Sequence, residues 1–226
     1  MKTSLKIFNL FFIAIMLLNF SCKSDDDSID QEIILPTLTM SNVSYNTTFF
    51  VTGQTDAPTV DWNGDVGTFS LAAPIPGFSV DENTGVVSWD RSIFIGNNEV
   101  ELVATNANGF AAIVITIHNQ FMGDFHGAYN NNPNSTTVEN GFEMNFNENG
   151  TMSVYVVGNG SAGTGTWTHD GPIITSVYSY DGGVNYYTIV VALSHTNTTA
   201  QITGYWSSGE TLQDPADGYI ALDASS

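Results

Sequence analysis

The sequence predicts an all-β protein, a β-sandwich followed by an antiparallel, eight-stranded, up-and-down β-barrel. No long stretch places apolar residues at helical spacing. The 21 glycines, with abundant Thr, Asn, Val and Tyr, favour turns and strands. Short segments of alternating apolar and polar residues recur along the chain, separated by Gly- and Asn-containing turns. A second β-sandwich in place of the barrel is the alternative.

The first 21 residues are predicted to be a signal peptide. Lys2 and Lys6 make the start positive, and residues 7–18 are apolar except for Asn9. Such a run is shorter than the roughly 20 apolar residues of a transmembrane helix. The small Ser21 precedes Cys22, the single cysteine of the sequence. The pattern is typical of a cleaved export signal, and the alternative is an ordinary signal peptide with a cysteine nearby.

Residues 1–27 resemble the signal of a Bacteroidetes-type lipoprotein, although Asn19 and Phe20 are unusual there. The resemblance implies that Cys22 carries diacylglycerol on its thiol and an acyl chain on its amine. Residues 23–27, Lys-Ser-Asp-Asp-Asp, resemble the tag that sends such lipoproteins to the exterior face of the outer membrane. Residues 22–32 are then a lipidated cysteine with an acidic, flexible tether. The expected location is the outer membrane, lipid-anchored and facing outward.

The charge is strongly negative, with 23 acidic residues against four lysines and arginines and a formal net charge of −19. This balance argues against a nucleic-acid partner, because phosphate binding needs a basic face. It suits solubility and repulsion at a crowded surface, and it permits attraction of divalent cations without specifying it. With Cys22 lipidated, no thiol remains for a disulfide, so the packing of sheets must provide stability.

Residues 33–119 are predicted to form the sandwich. Residues 78–80 and 86–89 alternate around a turn at residues 81–85, which predicts a hairpin with Gly85 at positive φ. Residues 48–52 are rich in strand-forming types. Val100, Leu102 and Ala104 share one face, and residues 111–117 supply the apolar face of a final strand. Turns between such short strands are typical of a β-sandwich.

Two motifs in this half carry a resemblance. Residues 76–89 (PGFSVDENTGVVSW), followed by Gly96 and by residues 100–109 (VELVATNANG), resemble the putative-Ig, cadherin-like repeats of bacterial surface proteins. The resemblance implies a spacer or adhesive module, in some members with calcium. This chain has Asp90-Arg91-Ser92 where a cadherin has Asp-Arg-Glu, which argues against cadherin-type calcium binding.

Asp61, Asn63 and Asp65 form a weak calcium candidate, because they repeat oxygen-bearing side chains at alternate positions. The run lacks the glycine at the sixth position and the later glutamate of a calcium loop. An Asx-rich turn is the favoured interpretation. We expect no other metal and no cofactor, with calcium the one weak exception.

Residues 120–226 are predicted to form the barrel. All connections are short, so neighbouring strands should pair antiparallel in chain order, and closure removes exposed edges. Eight candidate strands lie near residues 125–129, 141–147, 151–157, 163–169, 172–180, 184–193, 199–207 and 218–222. Gly123 and the segments GAY at 127–129, FNENGT at 146–151 and GTGTW at 163–167 resemble lipocalin-like domains of Bacteroidetes lipoproteins. That resemblance implies a ligand-binding barrel.

No catalytic constellation stands out, so we expect no enzyme. The four histidines lack zinc spacing, and no nucleophile elbow, P-loop or dinucleotide fingerprint occurs. Aromatic residues crowd the second half, which indicates either core packing or a ligand cavity. The candidate ligand-binding residues are Trp167, Tyr205 and Trp206. Tyr205 and Trp206 are adjacent on a strand, so their side chains must point to opposite faces.

The sequence therefore predicts a non-enzymatic, surface-exposed lipoprotein in which an Ig-like spacer presents a β-barrel that binds a ligand. Its partners would be the membrane, through the N-terminal lipid, and an unknown small molecule or glycan. The alternatives are a glycan-binding lipoprotein of a polysaccharide uptake system and a purely structural or adhesive surface module.

Overall fold

The computed structural model describes residues 33–158 and 160–225, which belong to one compact unit. Every regular element in these ranges is a β-strand, so the all-β prediction is confirmed. The predicted signal peptide, Cys22 and the tether up to residue 32 lie outside the described residues. Within the described ranges, no helix has the length and hydropathy needed to span a bilayer.

Nine strands precede the barrel, and they form three small sheets. β2, β9, β8 and β5 form a four-stranded sheet, β3, β7 and β6 a three-stranded sheet, and β1 pairs with β4. β2 runs parallel to β9, and the other pairs are antiparallel. In chain order the strands are β1 (Thr37–Thr39), β2 (Ser44–Thr48), β3 (Gly53–Gln54), β4 (Thr59–Asp61), β5 (Thr68–Leu71), β6 (Phe78–Val80), β7 (Val87–Trp89), β8 (Gly96–Asn106) and β9 (Gly109–Gln120).

The predicted hairpin and apolar faces of this half are confirmed. β6 pairs with β7 across a turn in which Gly85 has a φ of 73°. Val100, Leu102 and Ala104 are fully buried, and β9 contributes Ile115 and Ile117 to the same core. Alternation along two long strands therefore builds one hydrophobic core between the sheets.

The remaining eight strands form a closed antiparallel barrel, as predicted. Each strand pairs with its chain neighbours, and the first strand also pairs with the last, which closes the sheet. The alternative of a second sandwich is therefore wrong. The strands are β10 (Gly123–Tyr129), β11 (Asn140–Phe146), β12 (Thr151–Val156), β13 (Ala162–Asp170), β14 (Ile173–Ser179), β15 (Tyr186–His195), β16 (Ala200–Ser208) and β17 (Gly218–Ala224).

Glycines occur where the barrel backbone comes very close to a neighbouring strand. A Cβ atom on Gly165 would lie 2.0 Å from the carbonyl oxygen of Val177, and one on Gly204 would lie 2.1 Å from that of Val190. On Gly127 the same atom would lie 2.3 Å from the oxygen of Ala221. Only glycine fits such approaches, which accompany the sharp curvature of a small closed sheet.

The two ends of the barrel differ. At one end, here called the closed end, Phe49 and Phe121 join the barrel core although neither belongs to a barrel strand. Phe121 packs 5.1 Å from Phe146 and 5.2 Å from Trp167, measured between ring centroids. Phe49 lies 5.3 Å from Phe121 and meets His195 edge-on at 5.3 Å. The N-terminal half of the described chain thus seals this end.

At the other end, here called the open end, four connections surround the barrel mouth. They are residues 130–139, 157–161, 180–185 and 209–217, because successive hairpins of an up-and-down barrel alternate between its ends.

Candidate functional site

A cavity of about 360 Å³ lies at the open end of the barrel. We call it the mouth cavity. None of its lining residues is charged. Its aromatic lining consists of Tyr129, Phe142, Tyr178, Tyr180, Tyr187 and Trp206, and Val156, Ile189, Ile220, Asn131 and Ser161 complete it.

Three tyrosines form one side of the mouth cavity. Tyr178 lies opposite Tyr187 in the pairing of β14 with β15, and the two rings stack with centroids 5.5 Å apart and planes inclined by 23°. Tyr180 follows Tyr178 by two residues and therefore shares its face. Its ring meets Tyr178 at 5.4 Å and Tyr187 at 5.5 Å, both edge-on.

A second aromatic group comprises Tyr129, Phe142 and Trp206. The ring of Tyr129 is perpendicular to that of Trp206, with centroids 5.8 Å apart, and meets Phe142 at 5.6 Å. The indole N–H of Trp206 donates a 2.8 Å hydrogen bond to the carbonyl oxygen of Asn130. This bond fixes the indole and leaves its ring, rather than its N–H, to contact a ligand.

The buried tyrosines remain uncharged at physiological pH. Burial raises the pKa of Tyr178 far above its usual range, and the neighbouring tyrosines add to the effect. Burial also raises the pKa of Tyr180, although the hydrogen bond from Tyr178 opposes this shift. The cavity therefore offers neutral phenols, which can donate and accept hydrogen bonds and present ring faces.

Hydrogen bonds within the loops of the open end hold the mouth in shape. The Asn130 side chain donates to the carbonyl oxygens of Ser135 at 2.8 Å and Thr137 at 2.7 Å. Its amide oxygen accepts the backbone N–H of Tyr219 at 3.0 Å, which ties loop 130–139 to β17. Asp181 accepts the backbone N–H groups of Asn185 at 2.9 Å and Val184 at 3.0 Å. Such bonds lower the pKa of Asp181, so it stays ionised.

The structure separates the three candidate ligand-binding residues. Trp206 lines the mouth cavity. Tyr205 points to the outside of the barrel, is 44% exposed and meets Tyr219 edge-on at 5.7 Å. Trp167 lies at the closed end, where its indole N–H donates to the carbonyl oxygens of Asn147 at 3.0 Å and Thr151 at 3.1 Å. The mouth cavity thus brings Trp206 together with four tyrosines, and Trp167 lies elsewhere.

Sequence reasoning did not single out Tyr129 and Phe142 as cavity residues. A usable signal was present, because hairpins of an up-and-down barrel alternate between its ends. Tyr129 and Phe142 flank the first connection of the barrel, and Trp206 lies beside the seventh. Odd-numbered connections share one end, so these residues lie at the same end. The same counting places Trp167, beside the hairpin at residues 171–172, at the opposite end.

The weak calcium candidate forms a compact turn. The backbone N–H of Asn63 donates to Asp61 Oδ1 at 3.0 Å, and the Asn106 side chain donates to the carbonyl oxygen of Asp65 at 3.1 Å. In residues 33–158 and 160–225, no group of three or more His, Cys, Asp or Glu side chains is arranged to hold a metal ion.

Neither the protein-family models nor the curated proteins compared with this sequence give a match.

Proposed function

We propose that this protein is a non-enzymatic lipoprotein whose C-terminal, lipocalin-like barrel holds a small molecule in the mouth cavity. The observation that carries the proposal is the uncharged aromatic cavity at the open end. Its volume lies within the roughly 300–1,000 Å³ of small-molecule sites. Such sites combine apolar surface with a few polar groups, as the tyrosine hydroxyls, Asn131 and Ser161 do here.

A glycan-binding surface is the main rival. Sugar rings stack on flat, exposed aromatic faces, and Tyr205 is the exposed one of the three candidate ligand-binding residues. Its neighbour Tyr219 meets it edge-on, with ring planes inclined by 73°, so the two do not form a flat platform. The concave mouth cavity therefore supports a small ligand better than a polysaccharide chain.

For the N-terminal half we propose an Ig/cadherin-like spacer. Apart from the additional β1–β4 pair, its four-stranded and three-stranded sheets have the strand numbers of a constant-type Ig domain. Phe49 packs into the barrel core, and His195 Nε2 lies 3.2 Å from the carbonyl oxygen of Ile93. These contacts would let the spacer hold the barrel in a fixed orientation instead of carrying it on a loose linker.

For location we propose a lipid anchor at Cys22 and the outer face of the outer membrane. The support is the sequence of residues 1–27. Replacing Cys22→Ser and measuring how the full-length protein sediments with membranes tests the anchor. The variant is expected in the soluble fraction, and a variant that still sediments would contradict the anchor.

The ligand proposal is tested with N-phenyl-1-naphthylamine, an uncharged dye whose emission rises in apolar cavities. We expect saturable binding to the protein. Val156→Phe places a ring in the mouth cavity and should weaken dye binding at least tenfold. Val157→Phe is the matched control, because Val157 is the next residue and is 50% exposed, against 8% for Val156.

Two outcomes would count against the proposal. Dye that fails to bind the wild-type protein would favour a structural or adhesive module. Dye that binds both variants equally would place the site somewhere other than the mouth cavity. Circular dichroism of both variants confirms that each is folded.

A further inference from the structure

We propose that the ligand of the mouth cavity is a small organic cation with a methylated ammonium group. The inference rests on the proposed function and names the chemical class that the cavity takes. Three features of the open end support it: the arrangement of the aromatic rings, the negative charge of the loops, and the absence of carboxylates from the cavity lining.

The aromatic rings that line the mouth cavity favour a cationic ligand. Tyr178, Tyr180 and Tyr187 contact one another on one side of the cavity, and Tyr129 and Trp206 lie in another group. The faces of such rings are electron-rich and attract a positive charge, with tryptophan the most effective. Tyr178 and Tyr187 stack, whereas Tyr180 is edge-on to both. Tyr129 is perpendicular to Trp206, so the lining presents faces and edges from several directions. Cages of this kind recognise quaternary ammonium groups.

The charges around the open end favour a cation independently. Its four loops carry five carboxylates, and they contain no lysine, arginine or histidine. The carboxylates belong to Glu139, Asp181, Glu210, Asp214 and Asp217.

Positive charge is placed away from the mouth. The only lysine or arginine in the described part of the chain is Arg91, whose guanidinium lies 4.9 Å above the ring of Phe50. Phe50 packs against the barrel core next to Phe49, at the closed end. An anionic ligand in the mouth cavity would thus have no cationic side chain to pair with and would meet a negative field.

Glu210 is the carboxylate that shares a neighbour with the cavity. Tyr187 lines the mouth cavity and also borders a shallow surface hollow that includes Glu210. Because Glu210 lies in the loop 209–217 at the open end, a cation approaching the mouth meets the field of this side chain. Attraction of this kind raises the rate of encounter and is weakened by salt, because exposed charges are screened over about 8 Å at physiological ionic strength.

The lining itself favours a methylated ammonium over a primary one. A primary ammonium is strongly hydrated and needs hydrogen-bonding partners, usually carboxylates, when it leaves water. The lining contains no carboxylate, and its apolar part includes Val156, Ile189 and Ile220. Methyl groups on the nitrogen spread the charge, remove the N–H donors and pack against such side chains. The ring faces then supply the electrostatic attraction.

Choline and its uncharged isostere 3,3-dimethylbutan-1-ol give the direct test, since they share their shape and differ in charge. Each is titrated into the protein by calorimetry and in competition with N-phenyl-1-naphthylamine. We expect choline to bind at least tenfold more tightly at low salt, with this advantage shrinking in 1 M sodium chloride. Equal or tighter binding of the isostere, or no binding of choline at millimolar concentration, would overturn the inference.

Variants separate ring attraction from simple packing. Tyr187→Phe keeps the ring face and should retain the preference for choline. Tyr187→Leu should reduce choline affinity at least fivefold while changing that of the isostere less. Tyr205→Leu, on the outside of the same barrel, is the matched control and should change neither. Glu210→Gln should weaken choline at low salt and leave the isostere unchanged.

The outcomes distinguish this inference from the function on which it rests. If the dye binds in the mouth cavity and choline neither displaces it nor binds, the cavity is a site for uncharged ligands and the cation inference fails alone. If neither the dye nor choline binds, both proposals fail. If Tyr187→Leu loses choline and isostere equally, the tyrosine acts through shape and the cation inference is contradicted.

Discussion

The closed and open ends of this barrel are built from the same kind of residue but differ in how their rings are used. At the closed end, Phe121 and Trp167 pack with Phe49, Phe125 and Phe146 into a continuous core. At the open end, tyrosines replace most of the phenylalanines, and a cavity remains. At both ends, alternate residues of the strands point into the barrel. Where Phe49 and Phe121 cover the barrel, these side chains pack into a core, and where only loops surround it, they line a cavity.

The difference has a simple physical origin. Phenyl rings carry no polar atoms, so the closed end can be packed without water or a ligand. Tyrosine hydroxyls need hydrogen-bonding partners, and the Tyr178 and Tyr180 side chains are close enough to shift each other's pKa. Phe49 and Phe121 cover the closed end from outside the barrel strands, and loops alone surround the open one.

The largest effect should come from removing a ring at the closed end. Phe121→Ala is expected to lower the free energy of unfolding by about 3–5 kcal/mol, because it leaves a cavity among well-packed rings. Denaturant unfolding measures this. A loss below about 1 kcal/mol would mean that the closed end is not packed as a core.

The next effect concerns curvature of the barrel. Gly165→Ala should cost about 2–3 kcal/mol, because its Cβ would lie 2.0 Å from a backbone oxygen that cannot move without breaking strand pairing. Gly141→Ala is the comparison and should cost less, since its new Cβ would lie 2.8 Å from the Cβ of the half-exposed Val157 and would not meet a backbone oxygen. Equal thermal unfolding of the two variants would contradict the argument.

A smaller effect is expected from loosening the mouth. Asn130→Ala should lower stability by about 1–2 kcal/mol, because two hydrogen bonds within loop 130–139 and one that ties this loop to β17 are lost. Binding of the uncharged dye should weaken as well, since the mouth loses its shape. Asn132→Ala, on the exposed part of the same loop, serves as control. A variant with unchanged dye affinity would show that this loop does not shape the cavity.

The smallest change in stability at neutral pH is expected from Tyr178→Phe, and the difference from the wild type increases at alkaline pH. Because burial raises the pKa of Tyr178 in the folded state, its contribution is fully present below the unfolded pKa of about 10 and is lost as pH rises further. Stability should therefore fall more steeply above pH 10 in the wild type than in Tyr178→Phe. Denaturant unfolding at pH 7, 10 and 11 checks this, and parallel curves would contradict it.

Much of the barrel was predictable because its signals are local. Alternation with a turn at each end predicted all eight strands, each within two residues of its observed bounds. The segment with Phe142, Met144 and Phe146 pointing inward is confirmed, since all three are buried. Short connections allowed only antiparallel neighbours, so the strand order followed.

The sealing of the closed end was not predictable, because it depends on contacts between residues far apart in sequence. Residues 48–52 have the composition of a strand, yet β2 ends at Thr48. Phe49 instead turns into the barrel core, and Phe50 adopts a φ of 65° beneath Arg91. Strand propensity describes the local backbone, and here the burial of a ring in another part of the fold overrides it.

For the site, composition predicted an aromatic cavity or core without deciding between them. Trp167 and Trp206 look alike in sequence, because each lies within a predicted strand of alternating residues. Their difference arises from the end of the barrel at which each lies and from what covers that end. The end at which each tryptophan lies follows from counting hairpins. What covers that end depends on where Phe49 and Phe121 pack.

These two tryptophans give the most direct test of the account. Their indole N–H signals can be followed by ¹H–¹⁵N NMR while N-phenyl-1-naphthylamine, and separately choline, is titrated into the ¹⁵N-labelled protein. The account predicts that the signal of Trp206 at the open end shifts and saturates, while that of Trp167 at the closed end stays in place. A shift of Trp167 with Trp206 unmoved would contradict the assignment of the binding site to the mouth of the barrel.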